Sequence, residues 1–138
     1  METALQQDVK ITLGRVVVLV DDYDEAFNFY KNALNARKIF DQVLPDGQRY
    51  LHIGFEENAT SGIWFLQAST PGEKSRVGKQ TEGQPLFVLY TNALEPVHLQ
   101  LQACAARIVK PPVVGDDFTF LQFQDLYGNE IVLVQSRP

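Results

Sequence analysis

The apolar positions of the chain switch between two periods, and the switches mark its elements. From residue 10 to 20 (KITLGRVVVLV) apolar side chains first alternate and then run together with β-branched types, which predicts a largely buried strand. Asp21, Asp22, Asp24 and Glu25 follow, offering capping oxygens and negative charge at the positive end of a helix. Ala26, Phe29, Tyr30, Ala33 and Leu34 then recur at helical spacing and predict an amphipathic helix over 24–34. Two strand-like runs, 37–44 and 48–55, flank the turn sequence Pro45-Asp46-Gly47, and a third covers 62–68. Residues 69–84 (STPGEKSRVGKQTEGQ) are polar, Gly-rich and aperiodic, which predicts a linker and, at this length, a candidate lid. The order then starts again. A strand at 85–91 leads to a helix capped by Asn92, with Pro96 in its first turn, running to about residue 106. A short strand at 107–110 is stopped by Pro111-Pro112, and strands at 117–124 and 130–135 follow, with Gly128 expected at positive φ in the last turn.

The second half repeats the first. Residues 15–39 and 85–109 align without a gap, placing Val16 on Leu86, Val18 on Val88, Val20 on Tyr90, Phe29 on Leu99 and Arg37 on Arg107. Residues 62–67 (GIWFLQ) likewise resemble 130–135 (EIVLVQ). A duplicated βαβββ unit places any functional site between its two copies. At 138 residues the chain is expected to form one domain over 1–138, with modules at 11–68 and 85–135 joined by the 69–84 linker.

Composition narrows the partners. Hydrophobic content of 45% and charged content of 21% suit a soluble globular chain. A net charge of -5 argues against nucleic acid, whose phosphates call for clustered Lys and Arg. No apolar run approaches the roughly 20 residues that span a bilayer, so no membrane partner is expected. The opening METALQQDVK is acidic and amide-rich where a signal peptide is basic and then apolar, so the expected location is the cytoplasm. The single Cys104 shares a helical stripe with Val97, Leu101 and Ile108 and is expected as a buried structural thiol.

Three segments carry a resemblance. Residues 20–30 (VDDYDEAFNFY), Gly78-Lys79-Gln80, and 125–131 (DLYGNEI) resemble the opening, the module junction and the closing signature of the vicinal oxygen chelate superfamily. That superfamily comprises glyoxalases, bleomycin-resistance proteins and extradiol dioxygenases, and the resemblance extends from about residue 11 to 135. It implies an α+β fold in which two tandem βαβββ modules form a curled, cup-shaped mixed sheet, and it implies a homodimer. Many enzymes of the family hold a divalent metal in the cup with His, Glu or Gln from the first and last strands of each module. Carried over by position, those sites read Arg15, Trp64, Pro85 and Val132. None of these ligates a divalent metal, and the flanking Gly14, Val16, Ile63, Phe65, Gln84, Leu86, Ile131 and Leu133 add no His or acid. No metal or other cofactor is therefore expected, and metal-dependent catalysis is disfavoured.

The altered cup has its own chemistry. Strand alternation places Arg15, Val17 and Leu19 on one face with Pro85, Phe87 and Leu89 as their counterparts, joined by Trp64, Leu66, Glu130, Val132 and Val134. His52 faces opposite to Leu51 and Ile53. The candidate ligand-binding set is Arg15, Val17, Tyr50, His52, Trp64, Phe87, Glu130 and Val132, with no catalytic residue assigned. Trp64 offers a stacking plane and Arg15 a bidentate donor for an anion. The alternatives are an Arg15–Glu130 pair, Trp64 as core or interface filling, and His52 as an ordinary strand residue or a general base. His98 is expected exposed or capping, Asp116-Asp117 in a turn, and Asp41 and Asp46 solvated at a hairpin. The favoured function is metal-free binding of an aromatic or amphipathic organic molecule, with an anionic group as an option. A superfamily enzyme (lyase, isomerase, dioxygenase or thiol transferase) and a scaffold whose cup is filled by its own side chains are the alternatives.

Overall fold

A computed structural model describes residues 8–58 and 60–137. The first module comprises β1 (Arg15–Val20), α1 (Tyr23–Leu34), β2 (Arg37–Val43), β3 (Arg49–Gly54) and β4 (Gly62–Gln67). A short helix, α2 (Pro71–Arg76), lies between the modules. The second comprises β5 (Pro85–Tyr90), α3 (Leu94–Ala103), β6 (Ile108–Val114), β7 (Phe118–Gln124) and β8 (Glu130–Ser136). They form two four-stranded sheets, ordered β1-β4-β3-β2 and β5-β8-β7-β6. In each, the first strand lies parallel to the last and the other pairings are antiparallel, the mixed α+β architecture expected.

Local chemistry explains where the elements begin and end. Asp22 caps α1 by accepting from the Glu25 N–H at 2.8 Å, and Asn35 closes it in the left-handed region at φ 58. The entrance to α3 differs from expectation. Its N-cap is Ala93 rather than Asn92, and the orphan N–H of Leu94 donates instead to Gln135 Oε1 at 2.6 Å. The helix stops at Ala103, and half-buried Cys104 packs at its end against the core. The 69–84 stretch is not featureless: Thr70 and Glu73 form a capping box with a proline in the first turn, which starts α2. Residues 10–14 precede β1 instead of belonging to it. Pro111-Pro112 does not stop β6, because β6 is an edge strand where missing donors are tolerated; its pairing with β7 slips between Lys110 and Val113. Asp41 is not simply solvated: Arg49 donates to both of its oxygens and Lys38 to one, which holds its carboxyl down to about 2. Asp46 accepts from the Tyr50 hydroxyl.

The repeat is real but not gapless. Arg15 pairs with Gly62 and Pro85 with Glu130, equivalent places in the two sheets. Two steps along β1 bring Val17 opposite Trp64, whereas three steps along β5 are needed to bring Val88 opposite Val132. The extra residue sits in a register break between Pro85 and Phe87. Through the rest of β5 and α3 the match is shifted by one against the sequence alignment, so the fully buried Tyr30 of α1 matches Leu101 of α3, while Leu99 is exposed; by β6 the original spacing returns, Lys110 matching Phe40.

One continuous core joins the modules. Leu51, Ile53, Ile63 and Phe65 from the first sheet and Leu121, Phe123, Ile131 and Leu133 from the second meet Ala26, Tyr30, Ala33, Leu94 and Leu101 on the helices. Each large side chain buried there contributes roughly 1.5–3 kcal/mol. The closing motif latches the two modules. Asp125 Oδ1 accepts from the N–H groups of Tyr127, Gly128 and Asn129, and Oδ2 accepts from the Asn129 amide and from the Tyr30 hydroxyl of α1 at 2.7 Å. Burial first, then the Asp125 carboxylate, push the Tyr30 hydroxyl pKa well above its ordinary value. Tyr127 donates to Glu25 Oε1 at 2.9 Å, tightening the same seam. Gly128, at φ 104, makes the turn as expected, and Gly78 passes so close that a Cβ would stand 1.9 Å from the Tyr127 carbonyl oxygen.

Candidate functional site

The first sheet turns an aromatic face away from its core. With Leu51, Ile53, Ile63 and Phe65 inward, alternation brings Phe40, Tyr50, His52, Trp64 and Leu66 together on the opposite face, beside Arg15, Val17 and Leu19 of β1. His52 sits between Phe40 and Trp64, with ring centroids 5.7 and 5.4 Å away, and Tyr50 lies 5.7 Å from Trp64. These tilted aromatic pairs form a half-buried tray.

Arg15 fixes the polarity of the tray. Its Nε donates to His52 Nδ1 at 3.1 Å, and its Nη1 donates to the carbonyls of Gly14 and Thr60 at 2.9 and 3.1 Å. Because His52 accepts at Nδ1, its proton is carried by Nε2. Burial and then the neighbouring Arg15 charge lower the His52 pKa, favouring that neutral donor form. His52 Nε2 and Trp64 Nε1 are both buried and both lack an acceptor among the described residues. The tray therefore carries two unsatisfied N–H donors next to a guanidinium, and no carboxylate pairs with Arg15 among the described residues.

The corresponding face of the second sheet is chemically different. Pairing places Gln122 where the first sheet has His52, Val132 where it has Trp64, and Lys110 where it has Phe40. Gln122 donates to Glu130 Oε1 at 2.6 Å, so its polar group is satisfied. Phe118 and Phe120 stack 6.1 Å apart farther along β7.

Of the residues singled out from the sequence, Arg15, Val17, Tyr50, His52 and Trp64 are brought together on one face. Glu130 and Val132 lie on the second sheet, where Glu130 meets Gln122 and not Arg15. Phe87 corrects the alternation argument: the break after Pro85 turns Phe87 and Leu89 toward Ile131, Leu133 and the core, and puts Val88 and Tyr90 on the open face. Phe40 and Gln122 are not among those residues, and Gln80 enters only through the Gly78-Lys79-Gln80 resemblance. Phe40 reaches the tray face through the register break between Lys38 and Phe40, which simple alternation along β2 does not give. That the Gln80 side-chain amide binds the β1 backbone has no local signal in the sequence beyond that resemblance.

The residues present do not fit the family metal. The positions carried over hold Arg15, Trp64, Pro85 and Val132, and among the described residues no three His, Cys, Asp or Glu side chains cluster as a metal site would need. A separate cavity of about 710 Å³ lies away from the tray, between the end of the first module (Leu34, Phe55, Ser61) and β5.

Known proteins resemble this chain along most of its length. A sequence model of the Glyoxalase/Bleomycin resistance protein/Dioxygenase superfamily matches residues 12–133. An uncharacterized protein of Shewanella frigidimarina (strain NCIMB 400) is 28% identical over 128 residues, covering 92% of this chain and 95% of its own. Among solved structures, UcmS2 superimposes with a TM-score of 0.78 at 20% identity, covering 91% of this chain and 98% of its own. TnmS3, an antibiotic binding protein from Streptomyces sp. CB03234, superimposes with a TM-score of 0.75 at 20% identity, covering 93% and 98%. At that identity the structures speak to the fold alone, and the fold agrees with the sequence match: the chain belongs to the glyoxalase/bleomycin resistance protein/dioxygenase superfamily.

Proposed function

We propose that this protein binds a small organic molecule without a metal, holding an aromatic or amphipathic ligand on the tray of the first sheet. The observation that carries the reading is the pair of buried donors, His52 Nε2 and Trp64 Nε1, without acceptors in an aromatic surface beside Arg15. A buried donor left unpaired costs about 1–3 kcal/mol, a cost that a ligand acceptor oxygen would remove. Trp64 and Tyr50 supply the stacking surface, and Arg15 favours a ligand whose acceptor is anionic. Val17 borders the tray, and Glu130 and Val132 would contribute only if the second sheet closes over the ligand. The antibiotic-binding description of TnmS3 is in keeping with the reading. In the same reading the protein is a cytoplasmic homodimer, its single cysteine fitting a reducing compartment. A metal-dependent superfamily enzyme is disfavoured by the donor set at the carried-over positions.

The test is a thermal-shift screen of aromatic and amphipathic organic acids against purified protein, paired with metal analysis. Ligand at about 100 times its Kd adds roughly 2.7 kcal/mol to stability, which raises the melting temperature visibly. A stabilising aromatic ligand and substoichiometric metal are expected. One tightly bound transition metal per subunit, or a broad screen without a stabilising ligand, would overturn the reading.

A further inference from the structure

The polar groups of the tray are sorted by kind along its length. At the Arg15 end the uncommitted groups are N–H donors. Arg15 spends Nε on His52 and Nη1 on the Gly14 and Thr60 carbonyls, which leaves both hydrogens of Nη2 without a partner among the described residues. His52 Nε2 and Trp64 Nε1 add one donor each. Arg37 pairs with Gly54, two places beyond His52 on β3, which puts a second, exposed guanidinium at the same end of the same face. Neither arginine forms an ion pair among the described residues, because the acids nearest in the fold are spent elsewhere: Asp24 and Asp41 on Arg49, and Asp41 also on Lys38. Glu56 and Glu57 of the loop after β3 reach neither arginine. The acceptors of this face lie toward the β2–β3 hairpin, where Gln42 stands opposite Tyr50 and Tyr50 donates its hydroxyl to Asp46 Oδ2 at 2.7 Å.

This sorting discriminates between the two protonation states of a weak acid. A neutral phenol whose oxygen meets the Arg15 end brings a hydrogen of its own. The Gly14 and Thr60 carbonyls there already accept from Arg15, so that hydrogen is desolvated among half-buried rings without an acceptor. The conjugate phenolate brings lone pairs only, and the donors and the guanidinium charge all favour it. Resting on the tray as the ligand site, we infer that the tray takes aromatic hydroxy compounds and binds them as phenolates, selecting the ionised form over the neutral phenol. Trp64 and Tyr50 supply the surface for the ring, and the Arg15 end supplies the discrimination. Burial and Arg15 keep His52 neutral, so the group that loses its proton near neutral pH is the ligand and not the imidazole.

The test is a spectrophotometric pH titration of 4-nitrophenol with an excess of the full chain, since nitrophenolate absorbs where the neutral phenol does not. The reference compound is 4-nitrobenzoate, which is ionised throughout the range and is followed by Trp64 emission. Bound nitrophenol should ionise at least about one pH unit below the free compound, roughly a tenfold preference for the phenolate. Arg15→Gln should remove most of that shift and His52→Phe part of it, both variants keeping the circular dichroism of the unaltered chain. Nitrobenzoate that binds while nitrophenol binds with an unchanged pKa, or not at all, would overturn the inference and leave the tray reading standing. If neither compound binds, both fall. A shift that survives Arg15→Gln would overturn the role given to these donors.

Discussion

Equivalent places on the two sheets carry opposite polar chemistry. In the first module His52 and Trp64 bury N–H groups that nothing in the described chain accepts, while in the second Gln122 gives its amide to Glu130 and Val132 has no polar atom to satisfy. One scaffold has thus produced a face with unmet hydrogen-bonding demand and a face without it. Unmet demand in a buried aromatic setting is costly, and its presence on one of these two faces only is what supports the proposal that the first module's face recognises the ligand. The positions carried over for the family metal hold no ligating side chain in either copy, so the comparison rests on the polar groups of the two faces.

Substitutions should separate the halves in order of size. Removing the latch they share comes first: Asp125→Ala leaves the Tyr30 hydroxyl and several turn N–H groups unpaired, and chemical denaturation should show a loss of about 3 kcal/mol with ligand affinity of the folded protein unchanged. Trp64→Ala should weaken an identified ligand by about 2 kcal/mol, roughly 30-fold by calorimetry, whereas Val132→Ala in the matching place should cost under about 5-fold. His52→Phe keeps the ring and deletes the orphan donor; affinity should fall by about 1 kcal/mol while stability holds or rises. Gln122→Leu should do the reverse, costing about 1 kcal/mol of stability by leaving Glu130 unpaired and sparing affinity.

The smallest effect is in pH. His52 resists protonation in the native protein because burial and Arg15 oppose the imidazolium, whereas in the unfolded chain it titrates near its ordinary value of about 6.5. Stability from this group is therefore present above about pH 6.5 and is lost as pH falls toward the lower native value. Below it, the doubly protonated ring can no longer accept from Arg15, so ligand affinity should also decline. A His52→Phe variant should show a flatter melting temperature between pH 7 and 5; an equal slope would assign the effect elsewhere.

The order of elements and the superfamily were legible in the sequence because they rest on hydrophobic period, on the acidic helix start after Val20, and on the Asp125–Asn129 turn. The facing of β5 was not: a single inserted residue at a register break reverses inside and outside, and nothing in PLFVLY distinguishes Phe87 from Val88 without its neighbour β8. That is why Phe87 was expected on the open face and lies toward the core. Arg15 and Trp64 came from the superfamily positions carried over and His52 from alternation, and all three share a face because their strands pair without interruption at those residues. The bond between Arg15 and His52, and the donors it leaves unpaired, depend on distances between strands remote in sequence and could not be read there.

Trp64 is the only tryptophan in the chain, so selectively excited tryptophan emission reports on the first module's tray and not on the second module. Titrating the protein with planar aromatic carboxylates should give a saturable change in Trp64 emission, with the apparent Kd raised about 10-fold in Arg15→Ala. Emission that stays unchanged up to about 1 mM of every such ligand, a level corresponding to only about −4.1 kcal/mol, would contradict the assignment of this face as the binding site.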